Sequence, residues 1–271
     1  MPPTLTLGVF DSGFGGLTVL RELLPLIPGA RYLYLGDTAR LPYGSKSRET
    51  IARYALSSGR FLLEQGAQHL VVACNTATAL ALEDLKHDLP IPVTGVITPG
   101  ALAAKAAPGS HVLVLATSAT VHSGAYTRAL EAQGLTATEK ACPLLVPLVE
   151  EGWLDATPDT QSVTAEVLRI YLAEAQHEAP QAASLLLGCT HYPLLKPLIE
   201  STLKSLDYPL QVIDSAHATA HAVAQSISPT SSNEAATTHF YATDSIEKFQ
   251  RLGSRFLGHP LPPVELIDLG G

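Results

Sequence analysis

Short apolar runs alternate with helical periods along most of the chain. TLTLGVF (4–10) predicts a buried strand, DSGFGG (11–16) a turn, and LTVLRELL (17–24) a helix with Leu17, Leu20 and Leu24 on one face. RYLYLGD (31–37) predicts the next strand. A helix follows over 48–66, with Ser47 as its N-cap and Gly66 just past its end. HLVVACN (69–75) predicts a third strand, TATALALEDLKHDL a helix, and PVTGVIT (92–98) a fourth strand.

The pattern then restarts, which predicts a domain boundary near Pro99. Helices are expected over 99–107, 123–134 and 160–175, the last with Val163, Val167, Ile170 and Tyr171 on one face. Strands are expected over 111–117, 135–141, 184–190 and 210–216, with a helix beginning at HYPLLKPLIESTL. HFYATD (239–244) and VELIDL (264–269) are strand-like, and SISPTSSNEAATT (226–238) reads as an exposed loop. Strands alternating with helices give an α/β class with largely parallel sheets.

Such sheets bind ligands at the carboxyl ends of their strands. The polar exceptions stand there: Asp11-Ser12, Asp37, Cys74-Asn75-Thr76, Thr117, Cys189-Thr190-His191 and Asp214-Ser215. DSGFGG lets backbone N–H groups turn toward an anion ahead of a helix, or is simply a tight turn. It is not a dinucleotide fingerprint, because position 18 is Thr. ARLPYGSKS (39–47) is a plain loop or a second set of backbone donors near Tyr43 and Gly44. The hydroxyls of LATSATVHS (115–123) either cap the next helix or hold a substrate.

The length, 271 residues, suits two modest domains, and 46% hydrophobic against 15% charged residues specifies a folded core. A net charge of -8 argues against a nucleic-acid partner but permits a small anionic ligand. No signal peptide is visible and no apolar run is long enough for a membrane span, so a cytoplasmic protein without a membrane partner is expected. Three cysteines fit a reducing compartment.

VVACNTATAL (71–80) and LLLGCTHYPLL (185–195) echo each other: an apolar run stops at a cysteine where a helical segment begins. A helix start is expected to lower the thiol pKa. Cys142, in KACPLL, reads as a buried structural cysteine. Three uses compete for Cys74 and Cys189. A disulfide is disfavoured by the compartment. A zinc site with His191 has an unfamiliar ligand spacing. A pair of acid–base thiols is favoured by their matching positions, since stereoinversion at a carbon needs one group on each face.

DSGFGG, DTARLPYGSKS, ACNTATA, GVITPG, ATSATVHSGAY and GCTHYPLL follow in this order over nearly the whole chain. Together they resemble glutamate racemase, a cofactor-independent amino-acid racemase family to which aspartate racemase is related. The resemblance implies two pseudo-symmetric α/β domains, 1–98 with 210–271 and 99–209, with the last strands returning to the first domain and the active site in the cleft between the domains. It implies that Cys74 is the base toward D-glutamate and Cys189 the base toward L-glutamate, with Asp11 near Cys74 and His191 near Cys189 assisting proton movement. Asp37 and Glu150 match supporting acidic positions. Asp11, Ser12, Tyr43, Gly44, Asn75, Thr76, Thr190 and His191 match substrate-binding pairs, and Thr117 and Thr120 match threonines that touch the substrate.

The same resemblance implies no cofactor, no metal, glutamate as the small-molecule partner, a homodimer, and D-glutamate delivered to peptidoglycan synthesis. With the first strand so near the N-terminus, no regulatory extension and no nucleotide-sugar activator are expected. Other readings are an aspartate or hydantoin-type racemase, a two-domain binding protein, and a zinc hydrolase.

Overall fold

The structure, a computed structural model, describes residues 5–154, 157–227 and 236–270. The chain forms two compact units, one from the described parts of Met1–Val96 and Ala216–Gly271, the other from Ile97–Ser215. The first unit opens with β1 (Thr6–Asp11), α1 (Leu17–Leu26), β2 (Arg31–Gly36), α2 (Arg48–Glu64), β3 (His69–Val72), α3 (Asn75–Asp88) and β4 (Val93–Gly95). The second contains α4 (Ile97–Lys105), β5 (His111–Ala116), α5 (Ser118–Ser123), α6 (Ala125–Glu131), β6 (Thr136–Ala141), α7 (Leu145–Glu150), α8 (Pro158–Glu178), β7 (Ser184–Gly188), α9 (Lys196–Ser205) and β8 (Gln211–Asp214). The chain then returns to the first through α10 (Ser215–Ser226), β9 (Thr237–Ala242), α11 (Ile246–Leu257) and β10 (Val264–Leu266).

Every strand pairing is parallel. The first sheet runs β10-β9-β2-β1-β3-β4 and the second β6-β5-β7-β8. All residues of β1, β3 and β7 are buried, which is why these strands read as unbroken apolar runs rather than as alternation. The strand order β2-β1-β3-β4 recurs as β6-β5-β7-β8. In each sheet the chain reverses its direction of winding beside the opening strand. This creates a crevice at the carboxyl ends of β1 and β3 in one unit, and of β5 and β7 in the other.

The structure corrects several boundaries. Residues 211–214 pair with β7, so this strand belongs to the second sheet and not to the 210–271 part of the first domain. The expected strand 92–98 shortens to Val93–Gly95 and α4 starts at Ile97, because the Val96 N–H turns to Thr78 Oγ1 (3.4 Å). The expected helix 123–134 is broken by Gly124 (φ 62°), which separates α5 from α6.

The apolar face of α8 also differs. Thr164, Leu168, Leu172 and Ala175 are buried, while Val163 and Ile170 are 45% and 44% exposed. Thr164 Oγ1 donates to Trp153 O (2.9 Å), a tertiary bond that selects this rotation of the helix. The loop expected over 226–238 lies partly outside the described residues, with α10 reaching Ser226 and β9 starting at Thr237. Four helices, α5, α7, α10 and α11, were not anticipated.

Candidate active site

The polar strand ends form one cluster in each unit. In the first, Asp11 closes β1, is 1% exposed, and accepts a bond from Gly13 N at Oδ2 (2.8 Å). Cys74 follows β3 and N-caps α3: its Sγ accepts from Ala77 N and donates to Ser12 Oγ, both at 3.4 Å. Gly16 allows the two strand ends to approach. A Cβ there would lie 2.6 Å from Asp11 Cβ and 2.8 Å from Ala73 Cβ. Asn75 and Thr76, in the first turn of α3, are buried beside the thiol.

The helix start does not lower the Cys74 thiol as expected. Burial, with the Asp11 carboxylate second, pushes it up to about 12, against the opposing hydrogen bonds from Ser12 and Ala77. Removing a thiolate from water outweighs the few partial charges at one helix terminus. The thiol at rest is therefore neutral.

Asp37, fully buried at the end of β2, accepts from Arg40 Nε (2.9 Å at Oδ1, 2.7 Å at Oδ2), Thr243 Oγ1 (3.0 Å) and Tyr43 Oη. The Arg40 guanidinium also lies 4.4 Å from the centre of the Tyr54 ring. Burial and the adjacent carboxylate raise the Tyr43 phenol far above its usual range. Asp37 thus anchors the short 3-10 turn Tyr43–Ser45, with the Tyr43 hydroxyl committed to it.

In the second unit, Thr117 follows β5 and its Oγ1 is 3.0 Å from that of fully buried Thr120. Thr117 occupies the N-cap position of α5 without a side-chain capping bond. Cys189, Thr190 and His191, all buried, follow β7. His191 Nδ1 lies 3.9 Å from Cys189 Sγ and 3.5 Å from Thr190 Oγ1, and Nε2 lies 3.1 Å from Glu150 Oε1 at the end of α7. Burial alone would depress the imidazole. The hydrogen bonds and charges of Cys189 and Glu150 overcome it and raise His191 to about 10. At neutral pH the ring is an imidazolium.

The two thiols therefore have unlike neighbours: a carboxylate beside Cys74, and an imidazolium–carboxylate pair beside Cys189. One arrangement holds a proton on sulfur, and the other supplies positive charge and a proton path. All three cysteines are free thiols in the structure. Cys142 is buried, its Sγ 3.7 Å from Lys140 O, while Tyr192 Oη donates to its carbonyl (3.0 Å). Sequence reasoning missed Arg40 and Thr243. The Asp37–Arg40 spacing of three residues was a local signal for the first, whereas Thr243 reaches Asp37 from the far end of the chain.

Residues 17–223 match the family model of Asp/Glu/hydantoin racemases. The chain is 50% identical to a glutamate racemase of Koribacter versatilis (strain Ellin345), over 98% of each chain. The chain belongs to the glutamate racemase family. It is similar to the structure of glutamate racemase from Thermus thermophilus in complex with beta-chloro-D-alanine, with TM-score 0.84 and 42% identity over 99% of each chain. It is also similar to the Francisella tularensis glutamate racemase in complex with D-glutamate, with TM-score 0.86 and 32% identity over 98% of each chain. This racemase is an amino-acid isomerase, and among its described residues no helix is long and apolar enough to cross a membrane.

Proposed function

We propose that this racemase interconverts L- and D-glutamate by two thiols, without an organic cofactor. The supporting observation is the unlike pairing of the thiols, Cys74 with Asp11 and Cys189 with His191 and Glu150. Inversion needs a base on one face of the α-carbon and an acid on the other. With L-glutamate, Cys189 starts as the thiolate beside the imidazolium and removes the α-proton, while the neutral Cys74 thiol delivers its own proton to the opposite face. The D-isomer leaves with Cys189 protonated and Cys74 ionised. D-glutamate runs the same steps backwards, and Asp11 and His191 return protons between turnovers. Ser12, Asn75, Thr76, Thr117, Thr120 and Thr190 act as substrate-binding groups whose donors offset the charge that grows on the α-carboxylate.

On this reading the enzyme works in the cytoplasm, where three free thiols persist, and supplies D-glutamate for peptidoglycan. The test is incubation of the reduced protein with L-glutamate in D2O, followed by proton NMR and chiral separation. Deuterated D-glutamate is expected, with Cys74→Ala and Cys189→Ala each losing about 100-fold or more in turnover. Exchange with L-aspartate but not L-glutamate would reassign the substrate. Near-wild-type turnover by either cysteine variant would overturn the two-thiol mechanism.

A further inference from the structure

Two histidines outside both clusters stand one helical turn apart on α10. His217 and His221 have ring centroids 4.4 Å apart with planes inclined at 60°. Both are exposed, the His217 side chain to 61%. His217 Nδ1 lies 3.1 Å from Oε2 of Glu22 on α1. The other carboxylate oxygen of Glu22 faces Arg21 Nε (3.4 Å), whose guanidinium also bonds Phe256 O through Nη1 (3.4 Å). The carboxylate is thus held from two sides.

We propose that His217 and His221, one turn apart on α10 and buttressed by Glu22 of α1, form a binding clip for a divalent transition-metal cation of the imidazole-preferring class, such as zinc or nickel. Imidazoles at i and i+4 lie over one another on a helix face, the spacing by which helical histidine pairs hold a metal. Two nitrogens at bonding distance from one cation are about 3.3 Å apart, a separation that rings this close reach by side-chain rotation alone. Glu22 supplies what a ligating histidine commonly has. It accepts the Nδ1 hydrogen, which fixes the tautomer that leaves the Nε2 lone pair for the metal.

Among the described residues no three His, Cys, Asp or Glu side chains gather as a ready-made ligand set. The clip therefore has two protein ligands, with water in the remaining positions. The positive charge of Arg21 opposes the cation, so the affinity expected is modest, in the micromolar range rather than that of a closed structural site. Glu22 joins α1 to α10 through His217, so an occupied clip tightens both helices in the first unit.

The experiment is titration of the reduced, chelator-treated full chain with NiCl2, followed by calorimetry and by proton NMR of the histidine Hε1 signals. One nickel per chain is expected, with broadening confined to two of the histidine signals. His217→Ala and His221→Ala should each weaken binding at least tenfold, the size of effect that loss of even a supporting group produces. Glu22→Gln should weaken it by a smaller factor. Cys74→Ala and Cys189→Ala should leave it unchanged. Binding that survives His221→Ala, binding lost with either cysteine, or broadening spread over the other histidines would overturn the proposal. The wild-type NMR pattern does not depend on any variant folding.

Discussion

His191 Nε2 lies 3.1 Å from Glu150 Oε1, with the His and Glu side chains only 7% and 15% exposed. Together with the Cys189 contact, this buried charge raises the imidazole against the depressing effect of burial.

Replacing Glu150 with Gln removes that charge while keeping the size. Glu150 acts through His191, so it is a positioning residue. We expect kcat for D-to-L conversion to fall about tenfold, the low end for a general acid–base contribution, with KM little changed. The alkaline limb of the pH–rate profile should also move to lower pH, because the variant's imidazole loses its proton earlier than the wild-type value of about 10. An unchanged alkaline limb would detach Glu150 from the proton path.

The same shift has a consequence for folding. The folded value, about 10, is above the ordinary 6.5, so the folded chain holds this proton more tightly than the unfolded chain does. Stability from this group is complete below about pH 6.5 and is lost as pH rises toward 10. Thermal unfolding at pH 6 and pH 9.5 should show the wild type losing more stability over that interval than His191→Ala. Equal losses would show that His191 contributes nothing to the alkaline decline.

Arg40 is the cation of a buried pair, with side-chain exposures of 11% for Arg40 and 0% for Asp37. Arg40→Ala leaves a buried carboxylate held only by the Tyr43 and Thr243 hydroxyls. A loss of about 3 kcal/mol is expected in urea denaturation, along with impaired turnover as the Tyr43–Ser45 turn loosens. A loss below about 1 kcal/mol, the range of surface pairs, would show that the pair is replaceable.

Gly16 has φ -61°, a conformation open to any residue, so its constraint is steric. Gly16→Ala should cost about 1–3 kcal/mol through overpacking and displace Asp11 from Cys74, lowering turnover. Gly66→Ala is the contrast: φ is +95° with nothing within 4 Å of a new Cβ, so stability should fall while turnover holds. If the two variants behave alike in activity, close approach at Gly16 is not what places Asp11.

Much of this protein was decided by local sequence. The apolar run before Asp11 makes β1. Ser47 caps α2 by accepting from Thr50 N (3.3 Å). Cys74 and Cys189 each end a strand, since a run that stops at a polar residue is where a buried strand must stop. Period and capping involve neighbours in the chain, so they are visible in a single sequence. Other features depend on residues far apart, and only the tertiary structure decided them. Strand 211–214 joins β7 because pairing follows the sheet, not the order of the motifs. The buried face of α8 follows the Thr164–Trp153 bond. Asp37 is anchored by Thr243, which lies 206 positions away. The protonation of Cys74 and His191 was decided in the same way. A helix start is a local feature, but burial, the Asp11 carboxylate and the Cys189 and Glu150 contacts act through space, and they are the larger forces.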